Sequence, residues 1–207
     1  MAIDPSRIVL IAIFLLVAFP VHEFSHAYVA YRLGDATAKM FGRLTLNPVV
    51  HFDPIGGLFL VFTAITSPFI MGWAKPTPVN PSNLRDRRNG EVYVALAGPA
   101  SNLLMAVAGA LVVRVIFAAQ VNVPVAVAEI LILFVQFNIA LALFNMIPIP
   151  PLDGSTLLFR VLDPRTAWQL RPVLSQYGFL ILILLILLAA NPLGALISNV
   201  TRVLVGF

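Results

Sequence analysis

His22-Glu23-Phe24-Ser25-His26 places two imidazoles and a carboxylate inside an otherwise apolar stretch. Residues four apart lie on one face of an α-helix, one turn from each other. Two imidazole nitrogens so placed can bind a single zinc ion. The intervening Glu23 fits a general base that would activate a zinc-bound water. Ile8–Phe19 runs into the motif without a charge, and Ala27–Tyr31 runs out of it. Two His and a Glu are costly in such a segment, so a functional site is the default reading. The competing reading, a surface helix carrying H-E-x-x-H by chance, conflicts with these apolar flanks.

The whole chain shares that apolar character. Its 207 residues are 60% hydrophobic and 11% charged, with a mean hydropathy of +0.96. Soluble domains carry about 25% charged residues, so these values describe a polytopic membrane protein. Little chain is left for a separate soluble module. A net charge of +4 would point to nucleic acid in a soluble protein. Here the bases cluster in loops, which suits anionic lipid and membrane topology, and no nucleic-acid partner is expected. With no Cys, any zinc must be held by His and carboxylate. The N-terminus lacks a charged start and a small-residue cleavage site, so the first apolar segment is expected to be retained.

The elements that would position the motif follow from hydropathy and breakers. The expected fold is all-α and polytopic, with short re-entrant or β elements, in one transmembrane domain over 1–207. Spans are expected over about 6–33, 92–119, 125–147 and 173–190, with a shorter apolar tail over 192–207. Pro20 is expected to kink the first span beside the motif. Lys39–Leu46 reads as short strands. The apolar segment 55–73 is interrupted by Gly56-Gly57 and Pro68, and Ala74–Pro81 is extended because its prolines exclude a helix. Ser155–Leu162 reads as a short helix.

Two His leave a zinc ion in need of a carboxylate from elsewhere. Asp153 is the best candidate, because it follows a helix end broken by Pro148, Pro150 and Pro151. Unwound backbone at membrane depth is tolerated only where protein or water covers it, as in a catalytic cavity. Periodicity alone does not separate Asp153 from Asp53 or Asp35.

Three motifs occur in order: H-E-x-x-H in a first span, Ala97-Gly98-Pro99-Ala100-Ser101-Asn102, and Asn145-Met146-Ile147-Pro148-Ile149-Pro150-Pro151-Leu152-Asp153-Gly154. With Gly72-Trp73-Ala74-Lys75-Pro76-Thr77-Pro78-Val79-Asn80-Pro81, they resemble compact members of the site-2 protease family of intramembrane zinc metalloproteases. The resemblance covers essentially the whole chain. It implies one zinc held by His22, His26 and Asp153, with Glu23 as general base. It implies that Asn145 holds the substrate backbone or the oxyanion, and that Asn102 helps pack the middle core helix. Transmembrane protein substrates and the lipid bilayer are the implied partners. The chain departs from many members in carrying Ser155 after Gly154, and no PDZ or CBS module is expected within 1–207. A metal-binding membrane protein or transporter is the alternative, but internal repeats and charged midplane residues in several spans are missing.

Topology adds a constraint. His22 and His26 lie toward the end of the first span, and Asp153 lies just past the end of the third. For both to open on one side, an even number of crossings must separate them. Spans 92–119 and 125–147 supply two, so 55–73 is expected to dip in and return. Ten bases, from Arg32 and Lys39 to Arg165 and Arg171, then gather on one side, while Arg7 and Arg202 lie on the other. The positive-inside rule makes the basic side cytoplasmic, so the site is expected to open toward the cytoplasm of a prokaryotic cell. Gly42–Leu46 is the favoured edge for an unwound substrate to pair with, ahead of Ala74–Val79. His51 is expected to be an interfacial His at a turn, Arg114 to snorkel to headgroups, and Gly98-Pro99 to mark a helix start with a close crossing.

Overall fold

The computed structural model describes residues 5–66 and 72–206. The first hydrophobic run forms α1 (Pro5–Ile13), a π-helical turn (Phe14–Ala18) and α2 (Phe19–Arg32). The wide turn directly precedes Pro20, which cannot donate to the ladder and whose ring crowds the carbonyl four residues back. The disruption expected at Pro20 thus takes the form of a π turn. Two short helices follow, α3 (Thr37–Met40) and α4 (Pro48–His51), then α5 (Pro54–Thr66). A single 3₁₀ turn at Pro81–Asn83 leads to α6 (Arg87–Ala118). The remainder is α7 (Val125–Asn145), α8 (Gly154–Val161) and α9 (Pro164–Val205).

Four helical stretches, over 11–32, 87–118, 125–145 and 164–205, are long and apolar enough to cross a membrane. The most apolar window of α9 is only 6% buried by the rest of the protein, which leaves its surface for lipid. The protein is an integral membrane protein. Among the described residues there is no β-strand. The strands expected in Lys39–Leu46 are replaced by the end of α3 and by turns, with Gly42 at φ +68°. An isolated short strand has no ladder partner here, so a helical turn satisfies the backbone locally. The last span also differs from expectation, since α9 continues through Pro192 instead of ending near Ala190. In lipid, a proline inside a helix exposes fewer backbone groups than a break would. Asp163 starts α9 by accepting from the Arg165 and Thr166 amides, with Pro164 in the first turn.

α6 is the central helix. Its buried positions, Val94, Ala95, Gly98, Asn102, Ala106, Gly109, Ala110 and Val113, form a stripe of mostly small residues at helical spacing. Small residues let membrane helices approach closely where no hydrophobic gain drives them together. α2 lies against the first half of this stripe and α7 against the second. Ala106, Ala110 and Val113 pack with Val135 and Ile139 of α7 and Val205 of α9. Gly98-Pro99, expected at a helix start, lies well inside α6. Arg114, exposed near the end of α6, is tied to the end of the last helix. Its Nε and Nη2 donate at 2.6 Å to the carbonyls of Leu204 and Val203, capping the C-terminal end of α9.

α5 spans only about 20 Å at 1.5 Å per residue, short of a hydrocarbon core of about 30 Å. A Cβ on Gly56 would lie 1.9 Å from the Trp73 carbonyl, and one on Gly72 would lie 2.5 Å from Leu60 Cβ. The chain that leaves through α5 is therefore back beside the start of α5 by Gly72 and Trp73. The bend expected at Ser67-Pro68 lies outside the described residues.

From Trp73 the chain runs extended to Asn80 and is fastened at each end. Lys75 N donates to the His51 carbonyl at 2.9 Å, and Asn80 N donates to Asp35 Oδ2 at 2.7 Å. Asp35 is fully buried and also accepts from Thr37 N, Thr37 Oγ1 and Asn83 Nδ2. Burial pushes its carboxyl upward, but the bonds from Thr37, Asn83 and Asn80 outweigh burial and hold it below the ordinary 3.8. Asp35→Ala leaves these donors unpaired and should cost about 3 kcal/mol in detergent unfolding assays. Because the folded value is depressed, Asp35 contributes fully above the unfolded value of about 3.9. That contribution is lost as pH falls through the folded value. Unfolding midpoints from pH 7 down to pH 3 should fall more steeply for the wild type than for Asp35→Ala.

Candidate metal centre and its cavity

The buried face of α2 carries Pro20, His22, Glu23, His26, Ala27 and Ala30, at the three- and four-residue spacing of one helical stripe. His22 Nε2 and His26 Nε2 lie 3.0 Å apart. Asp153, in the turn between α7 and α8, brings its Oδ2 to 3.3 Å from His22 Nε2 and 3.4 Å from His26 Nε2. A tetrahedral zinc site with bonds of about 2.0–2.2 Å has ligand–ligand edges of about 3.3–3.6 Å. Asp153 Oδ2 is buried and accepts no hydrogen bond among the described residues. A buried carboxylate oxygen without a donor, facing two imidazole nitrogens, is what a cation would satisfy. Neither Asp35 nor Asp53 joins the group, since Asp35 holds the extended segment and Asp53 Oδ1 accepts from Gly56 N.

Each imidazole is held from behind. His26 Nδ1 lies 2.6 Å from the Val94 carbonyl, and His22 Nδ1 lies 2.6 Å from Asn102 Oδ1. A carbonyl only accepts, so His26 carries its proton on Nδ1 and leaves the Nε2 lone pair toward the cluster. Gly98 makes room for both rings. A Cβ there would fall 2.4 Å from His26 Nε2 and 2.6 Å from His22 Nε2. The Asp153 turn is seated in a similar way. A Cβ on Gly154 would meet the Met146 carbonyl at 2.3 Å, and one on Gly178 of α9 would meet the Pro150 carbonyl at 2.5 Å.

Glu23 is also buried, and its Oε2 accepts from Thr77 N at 2.8 Å. Thr77 Oγ1 donates to the Glu23 backbone carbonyl at 3.1 Å. The extended segment thus grips the carboxylate beside the cluster through one oxygen, leaving Oε1 without a donor among the described residues. Asn145 lines the same cavity, but its Nδ2 donates to the Leu141 carbonyl of its own helix. His51 is not interfacial as expected. It is 1% exposed, and its Nε2 donates to the Thr45 carbonyl. Arg43, counted among the loop bases, is buried and donates to the Val50 carbonyl. Sequence reasoning did not single out Asn138, a buried amide in the middle of apolar α7 that accepts from Asn102 Nδ2. Its signal was polarity in a span, which marks function or pairing by default.

The cluster forms the polar end of a cavity of about 1080 Å³. Most of the rest of its wall is apolar, with Phe59 and Leu60 from α5, Phe137 and Phe144 from α7, and Phe179, Ile183, Ile186 and Leu193 from α9. The extended segment contributes Trp73, Ala74, Pro76 and Thr77.

Fold and cluster together describe a polytopic membrane protein with a candidate metal centre. Comparison with known proteins narrows the class. Residues 115–189, which carry Asn145 and Asp153, match the model of Peptidase family M50. "Putative zinc metalloprotease YwhC" of Bacillus subtilis is 36% identical over 192 residues, covering 89% of this chain and 82% of that protein. "Putative zinc metalloprotease Rip2" of Mycolicibacterium smegmatis is 33% identical over 178 residues, covering 84% of this chain and 65% of that protein. Rip2 of Mycobacterium tuberculosis is 32% identical over 181 residues, covering 64% of that protein. No solved structure matches. The chain belongs to peptidase family M50, the site-2 protease family, and is a zinc metalloprotease.

Gly98→Ala tests the seating of the two imidazoles. The added methyl should displace both rings, lower bound zinc well below one per chain and reduce peptide cleavage at least about 100-fold. Metal analysis and cleavage of a model substrate in detergent would measure both.

Proposed function

We propose that this protein is an intramembrane endopeptidase that cleaves transmembrane segments of membrane-protein substrates, as in regulated intramembrane proteolysis. In this reading His22, His26 and Asp153 hold one zinc, and Glu23 is the general base. The observation that carries it is the position of the three-ligand cluster, at the polar end of an apolar cavity. Along α9, Phe179 to Leu193 offers about 21 Å of apolar wall, a length suited to an apolar segment rather than a soluble peptide.

Bound zinc supplies Lewis acidity, which polarises a peptide carbonyl and acidifies water. Glu23 Oε1 would take the proton of the attacking water and pass it to the leaving amine, while Thr77 N holds the other oxygen in place. The surrounding Phe and Leu side chains keep bulk water out and strengthen each polar contact. Asn145, on the cavity wall, serves as an added donor toward the developing oxyanion once it turns from Leu141. The extended stretch Ala74–Val79, not Gly42–Leu46, is the backbone against which an unwound substrate lies. Within it Lys75 N is spent on His51, Thr77 N on Glu23, and Pro76 and Pro78 have no amide hydrogen. Over Lys75–Pro78 a substrate strand would therefore pair by donating to its carbonyls.

The same reading keeps 55–73 as a re-entrant segment that does not cross and puts the cluster's opening on the cytoplasmic face, within one membrane-embedded domain. Met40→Cys and Arg88→Cys should then react with an impermeant thiol reagent only from the cytoplasm, and Asn122→Cys only from outside. Opposite sidedness for Met40→Cys and Arg88→Cys would show that 55–73 crosses.

Zinc per purified chain tests the site. The wild type should hold one zinc, and His22→Ala and Asp153→Ala should lose it. Glu23→Gln should keep the zinc and lose about 10²–10⁴-fold in cleavage rate. Zinc that ignores Asp153, or a metal site with no cleavage of any transmembrane substrate, would favour metal binding or transport instead.

A further inference from the structure

His22 can offer Nε2 to a metal only if its single proton sits on Nδ1. Its Nδ1 faces Asn102, and an amide has nearly the same shape either way round. With Oδ1 toward the ring, as found, Asn102 accepts and the proton stays on Nδ1. Turned over, its NH2 would donate to Nδ1 and drive the proton to Nε2. An N–H would then point at His26 Nε2 and Asp153 Oδ2, where the cation must sit.

The surroundings decide which way round Asn102 lies. Its Nδ2 donates to Asn138 Oδ1 at 3.0 Å and to the Ala18 carbonyl at 3.4 Å. Asn138 has the same two-way choice, and the Phe134 carbonyl removes it by accepting from Asn138 Nδ2 at 2.9 Å. A backbone carbonyl can only accept. The direction of each bond therefore propagates from Phe134 through Asn138 on α7 and Asn102 on α6 to His22 on α2. Both amides are 0% exposed, so bulk water does not reach either.

We propose that Asn138 is a positioning residue for the metal centre, acting through Asn102 to hold His22 as the Nδ1–H tautomer with Nε2 free. The inference rests on the reading of His22 as a metal ligand. It goes beyond interhelical adhesion, the usual role of a buried Asn in a membrane helix. Adhesion alone would cost stability and leave tautomer and metal affinity unchanged.

The test uses the full chain in detergent, with zinc affinity from chelator competition and nitrogen spectra of ¹⁵N-histidine-labelled protein. The wild type should hold one zinc with His22 protonated at Nδ1. Asn138→Leu should weaken zinc about 10–100-fold, as loss of an outer partner of a ligating His does. In an Asn102→Asp background, both side-chain oxygens can only accept, so the ring no longer depends on Asn138. There Asn138→Leu should change zinc affinity by less than about threefold, a departure from additivity that marks coupled residues. Unchanged affinity in Asn138→Leu, or an equal loss in both backgrounds, would overturn the relay while leaving the zinc site standing. A wild-type His22 protonated at Nε2 would overturn it without any variant, so a misfolded Asn138→Leu does not leave the matter open. Absence of zinc from the wild type would remove the ligand reading and the relay together.

Discussion

In the proposed metal centre two imidazole lone pairs face one point inside a membrane, and the polar architecture around them follows from that. A neutral ring exposes the Nε2 lone pair when its proton sits on Nδ1, and an acceptor at Nδ1 favours that tautomer. For His26 the acceptor is the Val94 carbonyl, and for His22 it is Asn102. Both lie on α6, so α2 and α6 must come close enough for side chains of one to touch the backbone of the other. The small-residue stripe of α6 permits that approach, and Gly98 leaves the space the rings occupy. Helix packing and ligand orientation are thus one requirement. Lipid makes it stringent, because an unpaired polar group there finds no water.

The other essential groups arrive on irregular backbone. Asp153 comes from the turn after α7, wedged between the Met146 carbonyl and α9. Thr77, which holds Glu23, comes from the extended stretch after α5. Such segments survive at membrane depth only if covered and internally satisfied. Buried Asp35 meets this need for the extended stretch by gathering donors from Thr37, Asn80 and Asn83. The prolines at 76 and 78 help by having no amide to satisfy. The result is a held polar cluster on a cavity whose remaining walls are mostly apolar side chains.

Several residues behave differently from what their types suggest, for one recurring reason. Arg114 caps α9, Arg43 is buried on the Val50 carbonyl, and His51 is buried on the Thr45 carbonyl. In each case the partner is a backbone carbonyl left free at a helix end or turn. Side-chain patterning carries no trace of such acceptors, because they belong to conformation rather than residue type. The strands expected in Lys39–Leu46 failed similarly, since strand character depends on a partner edge that this chain does not provide.

The sequence by itself determined the membrane character, the number of long apolar spans and the H-E-x-x-H stripe, because hydropathy and helical period are local properties. It also held three motifs whose order marks the peptidase family. It could not decide from periodicity which carboxylate meets the two imidazoles. Asp35, Asp53 and Asp153 are equivalent as residue types, and only the fold separates them. Asp35 is enclosed by four donors, whereas Asp153 Oδ2 is buried with none. Nor could it show that Asn138 continues the chain of amides behind His22. That contact joins three helices across more than a hundred residues, and only the packing of α7 against α6 and α2 brings the two amides and the imidazole into line.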